Sequence, residues 1–137
     1  MKHREPVSRI MSTDLQTAHR KQNLLEVADI FEKHSIRHLP VLNGEEVIGI
    51  ISRTDVMRVS YGVSKVDADH YKNFLQQLEV SEVMTPSPMT VGSKTSIKEV
   101  GEILHKHRFS ALPVVDEGKL VGIVTTTDMI GYLLDQY

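Results

Sequence analysis

Two aspartates that each follow a threonine, Asp55 after Thr54 and Asp128 after Thr127, stand seventy-three residues apart in this 137-residue chain. An ionised carboxylate has two acceptor oxygens and can hold two neighbouring hydroxyl groups of a ligand at once. Thr or Asp at the start of a helix can instead satisfy its free N–H groups and suit its dipole. From the residues alone both readings stay open. Neither aspartate belongs to a catalytic motif: a hydrolase would need a nucleophile beside a base or a metal triad, and neither occurs in motif form. The chain therefore reads as a non-enzyme. It has no cysteine, which removes disulfides and Cys-based zinc sites. His105 and His107 are two apart and do not share a helix face. His34 and His107, next to Lys33 and Lys106, fall near expected helix C-termini, where cations suit the dipole. No metal site and no required cofactor is expected.

The spacing of the aspartates is that of an internal repeat. HLPVLNGEEVIGIISRTD at 38–55 returns without a gap as ALPVVDEGKLVGIVTTTD at 111–128, and VSRIM at 7–11 returns as VSEVM at 80–84. Glu26/Glu99, Val27/Val100, Ile30/Ile103, Lys33/Lys106 and His34/His107 keep the same register. Two copies are too few for a solenoid, so a pseudo-symmetric pair is the expected architecture. Each copy starts with a short helical turn, Val7 to Met11 or Val80 to Met84. An extended stretch follows, LQTA at 15–18 or PMTV at 88–91, with prolines 86 and 88 keeping the second out of helix. Next comes a helix opened by Asn23-x-x-Glu26 or Ser96-x-x-Glu99, both matching a capping box. Leu24, Val27, Ala28, Ile30 and Phe31, and likewise Ile97, Val100, Ile103 and Leu104, recur at helical spacing and mark a core face. LPVL and LPVV are then joined to VIGIIS and LVGIVT by turns on Asn43-Gly44 and Glu117-Gly118, the pattern of a hairpin. A last helix begins at Thr54-Asp55 and at Thr127-Asp128. The order is β-α-β-β-α, twice, in an α+β fold. Residues 1–60 form repeat 1, 61–79 a linker with a helical segment around Tyr71 to Leu78, and 80–137 repeat 2. Gly62 to Asp69 is the expected flexible stretch. Gly49 and Gly122 fit close ligand approach or a tight packing point equally well.

The chain is of single-domain size. Its charged start and the lack of an apolar run near ~20 residues exclude a signal peptide and a spanning helix, which makes the cytoplasm the expected location. A net charge of −2 with both signs interspersed excludes the electrostatic footprint of nucleic-acid or anionic-membrane binding. At 5% aromatic residues, a base-stacking surface is not expected either.

The L-P-V strand, the G-h-h-[ST]-x-T-D segment (h apolar) and the V-x-x-h-M turn, each present twice in one register, resemble a tandem pair of cystathionine-β-synthase (CBS) domains, a Bateman module. The resemblance covers nearly the whole chain. It implies two pseudo-twofold-related repeats packed through their small sheets, with two clefts that in many members bind AMP, ADP, ATP or S-adenosylmethionine. By this resemblance Asp55 and Asp128 accept from the ribose hydroxyls. Ser52, Thr54, Thr125 and Thr127 supply hydroxyls and helix-terminal N–H groups to ribose or phosphate. Arg37 and His38 match a phosphate-contacting column in the nucleotide-sensing subunit of AMP-activated protein kinase, or else pair with surface carboxylates. With Arg53 they concentrate positive charge on repeat 1, since their equivalents are Ser110, Ala111 and Thr126. The adenine would lie against Gln16 or Met89 and the Pro40 or Pro113 wall, with Ser110 and Ala111 beside it. The implied function is a regulatory module that senses an adenine nucleotide or S-adenosylmethionine and signals to an effector protein, as a homodimer. The alternative is a ligand-independent dimerisation or interaction module with vestigial clefts.

Overall fold

The computed structural model describes residues 4–63 and 67–137. The middle of the expected flexible stretch, residues 64–66, lies outside the described residues. The fold is mixed α and β, and the chain divides into two compact units, Gln16–Ser87 and the residues up to Leu15 with Pro88–Tyr137. This division differs from the boundaries of the sequence repeat.

In Gln16–Ser87, β1 (Ala18–His19) runs parallel to β2 (His38–Asn43), which forms a hairpin with β3 (Glu46–Ser52). Between β1 and β2 lies α1 (Leu24–His34), whose start is fixed by Asn23 Oδ1 accepting from Glu26 N at 3.0 Å. Its partner in the expected box, the Glu26 carboxylate, accepts from the Asn23 side chain instead of the backbone. The helix ends at Ser35 in the left-handed region, φ 53°. After β3 come α2 (Arg53–Val59), α3 (Ala68–Gln76), α4 (Val80–Val83) and the edge strand β4 (Thr85–Pro86), which pairs with β3 through Gly49 and Ile50. Pro86 lacks a donor and is tolerated at an edge. Alternation puts Leu39, Val41, Gly49 and Ile51 on one face of the hairpin, with Leu39 opposite Ile51. The three with side chains are fully buried, together with Leu24, Val27 and Phe31 of α1, Leu75 of α3 and Val80 of α4.

The second unit repeats the plan. Here α5 (Ile97–His107) is capped by Ser96 Oγ accepting from Glu99 N, and it also ends in a left-handed residue, Arg108. A hairpin of β5 (Ala111–Asp116) and β6 (Lys119–Thr125) leads to α6 (Thr126–Leu134). The expected extended stretch at 88–91 is reduced to a single parallel bridge from Val91 to Val114. The hairpin turns are not identical. Glycine occupies the first loop position in one (Gly44, φ 63°) and the second in the other (Gly118, φ 79°), where the first position is Glu117 at φ 50°. A left-handed loop pair of this kind matches the twist of the strands it joins.

The V-x-x-h-M turns change places. Val7–Arg9, a single 3-10 turn, belongs to the unit of repeat 2: Val7 N donates to Thr95 O at 2.7 Å, and Ser12 and Ile123 exchange backbone hydrogen bonds at 2.9 and 3.0 Å. Val7 is fully buried there among Val100, Leu112, Val114 and Val124. Conversely, α4 packs in the unit of repeat 1, with Val80 N donating to Gln22 O at 2.8 Å. The strand glycines explain the fit. A β-carbon on Gly49 would overlap Met84 Sδ and come within 3.0 Å of the Thr85 carbonyl oxygen. One on Gly122 would stand 2.6 Å from Met11 Sδ and 3.0 Å from its Cγ. Both glycines are thus packing points, each a notch filled by the methionine of the exchanged turn.

Gly49→Ala is expected to destabilise by about 2–3 kcal/mol and Gly122→Ala by about 1–2, within the usual range for overpacking. The difference arises because Gly49 also meets backbone, whereas a methionine side chain has room to turn. Urea denaturation of both variants checks this, and a wild-type midpoint for Gly49→Ala would show that the notch has slack.

Candidate functional site

Each unit brings its candidate residues to the corner where a hairpin closes and the last helix begins. In repeat 1, His38 opens β2 and Ser52 ends β3 directly opposite it. The pairing runs one step further, with Arg53 N donating to Arg37 O at 2.8 Å. Ser52 is the last strand residue and the N-cap of α2 together. Its Oγ accepts from Asp55 N at 3.0 Å, and Asp55 Oδ2 accepts from Ser52 N at 2.8 Å. The helix therefore starts ahead of Thr54, and Thr54 is exposed instead of capping. Asp55 is buried to 9% exposure and its other oxygen, Oδ1, accepts from Arg58 Nη1 at 3.1 Å. The Arg58 side chain is 68% exposed, so the pair contributes only ~0–1 kcal/mol to stability.

His38 is half-buried beside these charges. Burial pushes its imidazole below the ordinary value of 6.5, the Asp55 carboxylate opposes this and the Arg37 guanidinium reinforces it. Arg37 and Arg53 are exposed, while Pro40 is buried in the sheet. The parallel pairing of Ala18 with Val41 carries half-buried Gln16 toward the Leu39 end of β2, the end that holds His38.

The corner in repeat 2 has the same frame and different charge. Thr126 N donates to Ser110 O at 3.0 Å, matching the Arg53 to Arg37 bond. Thr125 caps α6: Asp128 N donates to its Oγ1 at 3.2 Å, and Asp128 Oδ2 accepts from Thr125 N at 2.9 Å and from Oγ1 at 3.1 Å. Thr127, like Thr54, is exposed. Ala111 and Pro113 are buried and Ser110 is exposed. Met89 is 42% exposed, and the bridge of Val91 to Val114 leads it toward the Leu112 end of β5. Arg58 is not among the residues the sequence singles out and is detectable there only as a cation three residues after Asp55. Ser52 and Thr125 are singled out as ligand hydroxyls, but their capping role is disguised because each is also a strand residue.

A separate shallow cavity of about 510 Å³ opens at the far end of β2, lined by Thr17, His19, Lys21, Gln22, Leu42 and Gly44 among others. Its polar groups bond one another, with His19 N donating to Gln22 Oε1 at 2.7 Å and Gln22 Nε2 to Glu26 Oε2 at 3.2 Å. Among the described residues no group of three or more His, Asp or Glu could hold a metal ion, and no helix is long and apolar enough to cross a membrane.

The family model described as CBS domain matches residues 7–62 and again 80–135. The chain belongs to the CBS domain family. Its two domains occupy most of the sequence as a tandem pair, and solved CBS pairs share its fold. CBSX2, a CBS-pair protein of Arabidopsis thaliana, was solved in complex with AMP; the chain is 26% identical to it, with a TM-score of 0.78 and coverage of 96% of this chain and 97% of that one. The CBS domain pair of protein MJ0100, solved with 5′-methylthioadenosine and S-adenosyl-L-methionine, is 27% identical with a TM-score of 0.80, covering 96% and 98%. A curated relative, inosine-5′-monophosphate dehydrogenase of Korarchaeum cryptofilum, is 31% identical over 85% of this CBS pair. The pair spans only 22% of that enzyme's length.

Because burial lowers the folded-state pKa of His38 below 6.5, the unfolded chain takes up a proton there before the folded chain does. Stability is therefore expected to fall as pH drops through about 6.5 and below, and His38→Gln to flatten that part of the profile. Urea midpoints at about pH 7.5 and 5.5 measure the slope. Identical slopes for wild type and variant would show that His38 titrates alike in both states.

Proposed function

We propose that this CBS pair is a regulatory module that binds an adenosyl ligand at the strand-to-helix corners of its repeats and transmits occupancy to an effector protein. The observation that carries the reading is the Asp128 carboxylate, half-buried at the start of α6, with Oδ2 held by the cap and Oδ1 accepting no hydrogen bond among the described residues. A carboxylate fixed by one oxygen and open at the other is oriented in advance for the hydroxyls of a ribose. The solved CBS pairs of CBSX2, with AMP, and of MJ0100, with 5′-methylthioadenosine and S-adenosyl-L-methionine, support that ligand class.

In this reading Asp55 and Asp128 accept from ribose, and Arg37, His38 and Arg53 face phosphate. Adenine rests near Gln16 and Pro40 in one repeat and near Met89, Ser110, Ala111 and Pro113 in the other. The ligand is AMP, ADP, ATP or S-adenosylmethionine. Signalling to an effector requires that it bind two states of the module with different affinity. The hydroxyl–carboxylate pairs of the two corners, Ser52 with Asp55 and Thr125 with Asp128, are engaged in helix caps, which favours binding over turnover. A second reading, an interaction module that assembles as a homodimer without ligand, is favoured by one observation. Ile130, Leu133 and Leu134 of α6 are 58%, 42% and 66% exposed at one-turn spacing, the arrangement of an unpartnered apolar helix stripe.

Calorimetric titration with AMP, ATP, adenosine and S-adenosylmethionine separates the two. Asp128→Ala is expected to weaken adenosyl binding about 10- to 150-fold, the equivalent of losing ~1.5–3 kcal/mol of charge-assisted hydrogen bonding. Asp128→Asn, which keeps an acceptor for the cap, controls for damage to α6. Arg37→Ala should weaken ATP more than adenosine. No binding of any of the four by folded wild-type protein would hand the function to the interaction reading.

A further inference from the structure

The two aspartates occupy equivalent positions and differ in one neighbour. Three residues after Asp55 stands Arg58, and three residues after Asp128 stands Gly131. Arg58 Nη1 reaches Asp55 Oδ1 at 3.1 Å while Ser52 N reaches Oδ2 at 2.8 Å, so both oxygens of Asp55 are engaged. At Asp128 the cap takes Oδ2 alone.

We propose that Arg58 is a specificity-determining residue that closes the Asp55 carboxylate to uncharged diols. Adenosyl ligands without phosphate then bind first at Asp128, and the corner at Asp55 favours ligands that carry phosphate. The proposal rests on the adenosyl reading above. A ribose approaching Asp55 has to displace a guanidinium, whereas one approaching Asp128 displaces none. The displaced Arg58, on a largely exposed side chain, keeps its charge and is free to pair with an anion on the same ligand. A phosphate makes that pairing and so recovers what the displacement loses; adenosine does not. Arg58 thereby joins Arg37, His38 and Arg53 as a fourth cationic or ionisable position on repeat 1, and none of the four has a charged or ionisable equivalent on repeat 2.

The test exchanges the two residues. Arg58→Ala opens the Asp55 carboxylate, and Gly131→Arg installs the competitor at Asp128. A β-carbon at Gly131 meets nothing within 4 Å and Arg58 is exposed, so both variants keep the fold. Adenosine and AMP are titrated into wild type and both variants, and the backbone amides of Asp55 and Asp128 are followed separately by NMR. Arg58→Ala should strengthen adenosine at the Asp55 amide about two- to fivefold, as expected for release of an exposed ion pair. It should also shrink the preference of that corner for AMP over adenosine. Gly131→Arg should weaken adenosine at the Asp128 amide by a similar factor. Adenosine binding preferentially at Asp55 in wild type, or an Asp55 titration unchanged by Arg58→Ala while Asp128 still responds, would overturn the role of Arg58. Silence of both amides toward both ligands in all three proteins overturns the adenosyl reading itself, and this proposal with it.

Discussion

The reciprocal hydrogen bonds between Ser52 and Asp55, and between Thr125 and Asp128, are the constraint on which both corners depend. They end a strand and begin a helix at the same residue. A helix start leaves orphan N–H groups, and a cap of this form satisfies one of them while the N3 side chain reaches back to the cap residue's own N–H. The aspartate is thereby fixed in position and rotamer before any ligand arrives. From the residues alone, capping and binding are rival explanations of the same carboxylate. The geometry makes them compatible, because the cap needs one oxygen and leaves the second to be decided by whatever stands nearby.

The second constraint is the notch in each hairpin. Gly49 and Gly122 lie on the core faces of their sheets, opposite Val41 and Val114, where a side chain would ordinarily be wanted. Removing it admits Met84 or Met11, and with the methionine comes the short turn that places Val80 or Val7 fully inside the core. Neither repeat therefore completes its core from its own contiguous stretch. Methionine suits the task because its unbranched, polarizable side chain fills irregular gaps.

Much of this was legible in the sequence. The duplicated β-α-β-β-α order, the caps Asn23 and Ser96 and the apolar faces of α1 and α5 are local signals carried by periodicity and turn chemistry, and they emerge as observed elements. The exchange of the V-x-x-h-M turns was not legible. It rests on contacts such as Ser12 with Ile123, separated by most of the chain, and a register of repeats is silent on which copy a segment packs against. The last helices were expected to begin at Thr54-Asp55 and Thr127-Asp128. They begin earlier because Ser52 and Thr125, which sit in apolar runs that read as strand, also serve as caps. The residues of the corners could be named in advance, but not their commitments: the Ser52 and Thr125 hydroxyls are engaged in the caps, and the second oxygen of Asp55 is held by a guanidinium.

An aspartate at the third helical position contributes to stability in both copies through the cap, about 0.5–2 kcal/mol by analogy with other cap interactions, whether or not a ligand ever reaches it. Its presence in both repeats is therefore weak evidence that both bind. The informative positions are those the cap does not require. Arg37 against Ser110, His38 against Ala111, Arg53 against Thr126 and Arg58 against Gly131 surround the same backbone frame and differ every time in the same direction. A frame held constant by folding, with charge varied only around it, gives two corners of one shape and unlike electrostatics.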